Sequence, residues 1–389
     1  MAAEAWASAR GDTYLLGSVR VGFGLLFLNE AWLATEHFRG AGYFGHYFHQ
    51  PFVPEALVPS ETAYQVVLAT QWIAAALVVA GRWARPSLLV SAGLLVASML
   101  WDRLWFHHYR HTMAAFATLL AFASCDRHFV LGREGDETPG PMWARTAILA
   151  QISVMYVASG GSKLLDPGWR GGAMMRGMVR SVGSLLQARG FPASLVDAMQ
   201  SPLGAGLLAK GAIATELGLA FCLWWSPARR LAVWVGLAFH VLISQLTPVR
   251  LFTLEMLLVY LLWATPDVAA RVVRYDPERH SLVRLLPSLD WLRRYRLVPE
   301  NGAALTVVDR GGEAKHGLPA VAVVCGTLPL LFPLWPLVAA AAAVIPGSPR
   351  GGPAAARRAT RSTASPASSS PGDARGGSGS PPRRGPGPG

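Results

Sequence analysis

Long apolar runs separated by short polar clusters dominate the first two thirds of the chain. They recur at residues 14–34, 62–81, 86–105, 112–125, 143–162, 204–225, 231–249 and 251–265. A helix needs about 20 apolar residues to cross hydrocarbon. The pattern therefore predicts an all-α integral membrane protein, a polytopic helical bundle with about eight transmembrane helices. The fourth and eighth runs are short for that length, which leaves their ends loosely defined.

Two intervening segments are long. Residues 35–61 gather His37, Phe38, Tyr43, Phe44, His46, Tyr47, Phe48 and His49, a composition suited to a membrane–water interface. Residues 164–203 set Met174, Met175, Met178, Val179, Val182, Leu185 and Leu186 among Arg176, Arg180 and Arg189. That spacing predicts an interfacial amphipathic helix, which would either roof a cavity or link two spans.

Three regions follow from the pattern. Residues 1–265 form the multi-span membrane domain. Residues 266–346 form a short basic cytoplasmic extension, with an extended piece at residues 304–309. Within it, the apolar stretch 319–345 is interrupted by Pro319, Pro329, Pro333 and Pro336, which favours a helix lying on the membrane over a ninth span. Residues 347–389 hold Arg, Gly, Pro and Ser without periodicity and are expected to be a disordered C-terminal tail.

Composition supports a bilayer setting. Of 389 residues, 52% are hydrophobic and only 15% are charged, too few charges for a soluble chain with this many apolar runs. Lys and Arg cluster between alternate runs and after the last one, placing both termini in the cytoplasm of a multi-pass cell-membrane protein. Residues 1–13 carry Glu4, Arg10 and Asp12, which argues against a cleavable signal peptide. The net charge of +12 suits anionic lipid headgroups. No folded basic module accompanies it, so a nucleic-acid partner is not expected. Cys125, Cys222 and Cys325 lack metal-ligand spacing and read as packing residues.

The candidate chemistry lies in charges beside or within the runs. Lys163 ends the fifth run in Tyr156-Val-Ala-Ser-Gly-Gly-Ser-Lys163-Leu-Leu-Asp-Pro-Gly-Trp169. A lysine there either snorkels to the interface or, desolvated, becomes a base usable near neutral pH. Glu216 and His240 lie in mid-run, where neither snorkels easily and each needs a partner or a function. Residues 101–111 add Asp102, His107, His108, Tyr109, Arg110 and His111. His107 and His111 share a helix face, yet no HExxH glutamate accompanies them. Proton transfer or substrate hydrogen bonding is the preferred reading, with no metal.

Tyr156-Val-Ala-Ser-Gly-Gly-Ser-Lys163-Leu followed by Trp169-Arg-Gly-Gly resembles the lysine motif of vitamin K-dependent gamma-carboxylases and their bacterial relatives, which carry the horizontally transferred transmembrane (HTTM) domain. Phe239-His240-Val-Leu-Ile-Ser244-Gln245-Leu246, with Leu251-Phe252 and Met256-Leu257, is similar to the family's later helix pair. The resemblance covers roughly residues 15–270. It implies a membrane domain in which the lysine matching Lys163 takes a proton from reduced vitamin K, a menaquinol-type quinone. Oxygen then converts the quinol into a strong base. Glu216 falls where the family has an acid, and Tyr109 at or beside the place of an assisting histidine, with His107, His108 and His111 around it.

The large lumenal substrate-binding region of the carboxylases has no counterpart here, so the quinol half-reaction carries over better than protein carboxylation. The expected site is Lys163, His240 and Glu216 as catalytic groups, with His107, His108, Tyr109, His111, Trp169, Ser244 and Gln245 lining the cavity. The expected partners are the bilayer, a quinone, and a small peptide or protein substrate. A non-enzymatic membrane factor for maturation, export or immunity of a small secreted peptide is the second reading.

Overall fold

Each apolar run becomes a helix, and the ends of the helices are set by local chemistry. The computed structural model describes residues 10–11, 13–40, 44, 50–247, 250–263, 270–309 and 311–345. The helices are α1 (Tyr14–Gly40), α2 (Glu61–Ala80), α3 (Ala84–Trp101), α4 (His108–Ala121), α5 (Trp143–Leu165), α6 (Ala173–Ala188), α7 (Ala193–Gln200), α8 (Pro202–Cys222), α9 (Arg229–Leu246) and α10 (Arg250–Tyr260). Ser60 and Ser201 cap α2 and α8 by accepting from the backbone N–H of Ala63 and Gly204. Gly81 ends α2 at φ 74°, a left-handed turn that favours glycine.

Four helices are long and apolar enough to cross a membrane: α2, α3, α5 and α8. The expected count of about eight is not reached among the described residues, for identifiable reasons. Helix α1 is long but carries Arg20, Glu30 and Glu36, and α9 carries Arg229, Arg230 and His240. Helices α4 and α10, of 14 and 11 residues, rise only about 21 and 17 Å, against a hydrocarbon core of about 30 Å.

One stripe of α1 (Leu15, Val19, Phe23, Phe27) is buried in one cluster with Leu88 and Leu95 of α3, Phe116 and Leu120 of α4, and Ile148 and Ile152 of α5. A second cluster forms where the amphipathic helix was expected. Met175, Val179 and Leu186 of α6 bury against Val196 of α7, Ala205 and Ala209 of α8, and Leu246 of α9. The apolar stripe of α6 thus covers protein, with its arginines spaced between the apolar positions.

Within the membrane domain a two-residue bridge pairs β1 (Arg10–Gly11) with β2 (Gly140–Pro141). The expected extension holds more than a single extended piece. Strands β3 (Arg271–Tyr275), β4 (Tyr295–Pro299), β5 (Thr306–Val308) and β6 (Ala314–His316) form a sheet in the order β4-β3-β5-β6. Strands β3 and β4 run parallel, with Arg271 opposite Tyr295; β5 runs antiparallel to both β3 and β6. This sheet is a departure from the all-α expectation. Val273 and Val307 of the sheet share a buried cluster with Leu286, Ala320 and Leu328.

Residues 319–345 fold as two short helices, α11 (Leu318–Cys325) and α12 (Trp335–Val344). Neither is long enough to span a membrane. Chain contacts separate Met1–Pro346 from Gly347–Gly389. The tail expected to be disordered lies outside the described residues.

Candidate functional site

Helix α5 presents Tyr156, Ser159, Gly160 and Lys163 at helical spacing, so they share one face. Helix α8 packs against that face, and Gly160 permits the approach. A Cβ there would lie 2.9 Å from two side-chain carbons of Leu217 and 3.3 Å from Cβ of Glu216. The closeness puts Lys163 Nζ 2.8 Å from Oε1 and 2.7 Å from Oε2 of Glu216. Nζ also donates to Ser159 Oγ, and it stands 5.2 Å from the centre of the Trp169 ring. The Lys163 side chain is 17% exposed and that of Glu216 7%. The pair is therefore largely shielded, with the lysine side chain the more exposed of the two.

His240 belongs to a different group. Its Nε2 lies 2.7 Å from the hydroxyl of Tyr156, which lies 2.7 Å from the hydroxyl of Tyr260. His240 is 1% exposed, and Nδ1 is buried without a hydrogen-bond partner. Gly236 makes room for this arrangement, since a Cβ there would lie 2.0 Å from the Tyr260 hydroxyl. Tyr156 lies seven residues before Lys163, about 10 Å along the helix axis. The two groups are thus stacked along α5 rather than merged.

A third polar group surrounds Glu30 of α1. Tyr109 donates to Oε1 at 2.9 Å and Arg110 Nε to Oε2 at 2.7 Å. Both members of the ion pair are nearly inaccessible. Arg110 also donates to the Trp105 carbonyl and lies over the Trp105 ring, 3.8 Å from its centre. Nearby, Thr112 donates to Oε2 of the buried Glu255, whose Oε1 has no partner.

The remaining sequence-derived candidates lie around these groups. His107 is exposed, and its ring stacks on that of Tyr109. Desolvation by the surrounding chain, reinforced by the nearby Arg110 charge, holds His107 below the ordinary histidine range. The His108 ring meets the edge of Phe252, whose own ring meets His240. His111 is exposed. Ser244 accepts from Gln245, and Gln245 Oε1 accepts from Arg189 beyond the end of α6. No group of three or more His, Cys, Asp or Glu side chains able to hold a metal occurs among the described residues.

Sequence reasoning did not single out Tyr156, Tyr260 or Ser159 as site residues. Tyr156 and Ser159 stood in the quoted motif at i and i+3, and their register with Lys163 was the available signal. Tyr260 lies 104 residues from Tyr156, and nothing local announces that contact.

No curated protein and no solved structure matches the chain. A model of the HTTM domain does match, over residues 10–268, a stretch that takes in all three polar groups. With well over half of its length under that match, the chain belongs to the HTTM-domain family.

Proposed function

We propose that this is a membrane enzyme of the vitamin K-dependent carboxylase type, in which the Lys163–Glu216 pair accepts a proton from a lipid-soluble reduced quinone. The carrying observation is the pair itself: an amine and a carboxylate bonded twice, within a largely shielded part of the bundle. The family is one of membrane proteins related to that carboxylase.

The residues fit an aromatic alcohol arriving from lipid. Nζ lies beside the Trp169 indole, and Leu164 and Leu165 next to Lys163 are exposed. A flat ring stacks favourably on indole, and its hydroxyl would meet Nζ. When bound, a reduced quinone supplies an acidic O–H and the electrons that oxygen removes.

The pair's protonation balance is simple. If it begins as ammonium and carboxylate, the incoming proton goes to Glu216. If it begins as amine and carboxylic acid, the proton goes to Lys163. Either route ends with ammonium beside carboxylic acid, leaving a positive charge to stabilise the new anion. Ser159 and Trp169 orient Nζ throughout. His240, at 1% exposure, acts from behind through Tyr156 rather than by touching the ligand.

The test is oxygen-dependent epoxidation of a short-chain menaquinol by the full-length protein in detergent. Wild type should form the epoxide, and Lys163→Ala and Glu216→Gln should lose it. Turnover unchanged in Lys163→Ala would sink the base assignment. No epoxide from the wild type would favour the non-enzymatic factor for a secreted peptide.

A further inference from the structure

Residues 317–349 contain no Asp, Glu, Lys, Arg or His. Within this stretch α11 and α12 contact each other as the two arms of a hairpin. Helix α11 buries Ala320 and Cys325, whereas α12 buries no residue at all. Leu330, Leu334 and Leu337 are each more than half exposed, Leu337 at 73%. Single exposed leucines are ordinary on a protein surface, but a run of them without a charge marks a surface with a partner.

The hairpin's attachment shows its level. Helix α8, long and apolar enough to cross a membrane, ends at Cys222 and is followed by the exposed Trp224 and Trp225. Arg229, at the first position of α9, closes the turn by donating to the carbonyls of Leu223 and Trp224. Tryptophans and an arginine at the end of a span mark the membrane–water boundary. Helix α9 then returns alongside α8, so residues beyond Arg229 lie deeper. Trp234 lies five residues beyond Arg229, about 7.5 Å along the helix axis. Its indole donates to the Pro333 carbonyl at 3.2 Å. The turn of the hairpin therefore meets α9 inside that boundary.

The backbone of the turn points the same way independently. Hydrocarbon offers no water to unpaired peptide groups, so a segment within it must satisfy its own. The N–H groups of Gly326, Thr327, Leu328, Leu331, Phe332 and Leu334 all donate to carbonyls within the hairpin, and that of Trp335 donates to Phe332. Pro329 and Pro333 have no N–H to satisfy. Among residues 326–335 only the Leu330 N–H lacks such a bond. The Thr327 hydroxyl is turned back onto the Val323 and Val324 carbonyls. The prolines that prevent one long helix thus remove donors where a turn would otherwise expose them.

We infer that the α11–α12 hairpin inserts into one leaflet of the bilayer, on the side where α8 gives way to α9, with lipid acyl chains covering Leu330, Leu334 and Leu337. It does not cross: the 10 residues of α12 rise about 15 Å, half of a hydrocarbon core. Acyl chains suit this surface better than a second copy of the chain does. Helix α12 is apolar on every side, which fits a lipid environment and offers no single face to a protein partner. The inserted hairpin would also hold the sheet at the membrane, since Tyr295 of β4 bonds to the Val323 carbonyl and the Thr327 hydroxyl.

Fluorescence quenching of the full-length protein in phosphatidylcholine vesicles tests this. Leu337→Cys carries an environment-sensitive fluorophore on the hairpin, and Glu300→Cys carries it on the exposed turn after β4 as the aqueous reference. Labelled wild type is the blank for the native cysteines. Doxyl-labelled phosphatidylcholine quenches from within the bilayer, and iodide quenches from water. The expected result is that doxyl lipid quenches the Leu337→Cys label several-fold more than the reference, and iodide several-fold less. Should Leu337→Cys fail to fold, Leu334→Cys at the other exposed leucine decides the matter. Iodide quenching equal to that of the reference would overturn the inference. So would shielding from both quenchers, which would place protein, such as a second copy of the chain, on this surface.

Discussion

Lys163 Nζ lies 2.8 and 2.7 Å from the two carboxylate oxygens of Glu216, fifty-three residues further along the chain. The contact joins α5 to α8 at the level where Gly160 removes the side chain that would hold them apart. It turns two separately costly embedded charges into one shielded pair.

Removing either partner should cost more than removing both. Lys163→Met leaves the Glu216 carboxylate shielded and unpaired, a loss on the order of 3 kcal/mol. Glu216→Leu strands the ammonium, though the lysine's greater exposure softens that loss. The double variant should regain most of the stability, a coupling visible in detergent melting curves. Strictly additive losses would show that the pair contributes nothing as a pair.

The Tyr156 hydroxyl is the shared member of the His240–Tyr156–Tyr260 chain. Tyr156→Phe should therefore destabilise the bundle by about 1–3 kcal/mol, because it strips a partner from two buried groups at once. Tyr260→Phe strips only one hydrogen bond from Tyr156 and should cost less. Thermal melts of the two variants that came out in the opposite order would contradict this reading of the network.

These two predictions draw on different degrees of legibility in the sequence. Lys163, Glu216 and Trp169 were readable because each breaks a local pattern: a charge at the end or middle of an apolar run, an aromatic just beyond a helix end. The bond between Lys163 and Glu216 was not readable, since periodicity gives each helix a face but not its neighbour. His240 was legible as an embedded polar residue, yet Tyr260, joined to it through Tyr156, looks like an ordinary aromatic at the end of a short run. Arg110 and Glu30 are likewise eighty residues apart. The sheet was nearly silent because β3–β6 are only three to five residues long, too short for alternation to declare itself. The helix positions were visible from the apolar runs. Among the described residues four helices are long and apolar enough to cross a membrane, while α1 and α9 carry charge and α4 and α10 are short.

Asp276 anchors the turn after β3 through oxygens that accept from the backbone N–H of Glu278 and of Gly302, each at 2.9 Å. Those N–H donors hold its carboxyl below the usual carboxylate range. A depressed acid stabilises the fold above its unfolded value, about 3.9, and that contribution is lost as pH falls through the folded value. Wild type should thus protect residues 271–308 from hydrogen exchange better than Asp276→Asn at pH 6. The gap should close as pH falls below about 4. A gap of constant size from pH 6 to pH 3 would remove the charged hydrogen bonds as its source.

Gly160→Ala tests whether the spacing of α5 and α8 governs the chemistry independently of the reacting groups. The added methyl would meet Cγ and Cδ2 of Leu217 at 2.9 Å and Cβ of Glu216 at 3.3 Å. Leu217 can swing its branch away in part, but Glu216 Cβ is tied to the α8 backbone. The helices must therefore part by a few tenths of an ångström, at a cost of about 1–3 kcal/mol. Both oxygens of Glu216 sit at full hydrogen-bond distance from Nζ, so even a small separation weakens one of the two bonds. Alanine is also the better helix former, which works against the loss locally. The expected outcome is a folded protein, with every polar residue present, whose quinol turnover falls more than its melting temperature would suggest. Gly160→Ala combined with Leu217→Ala clears the branched contact and should restore much of that turnover. If the single variant turns over like wild type, close approach of these two helices is not what readies Lys163 and Glu216.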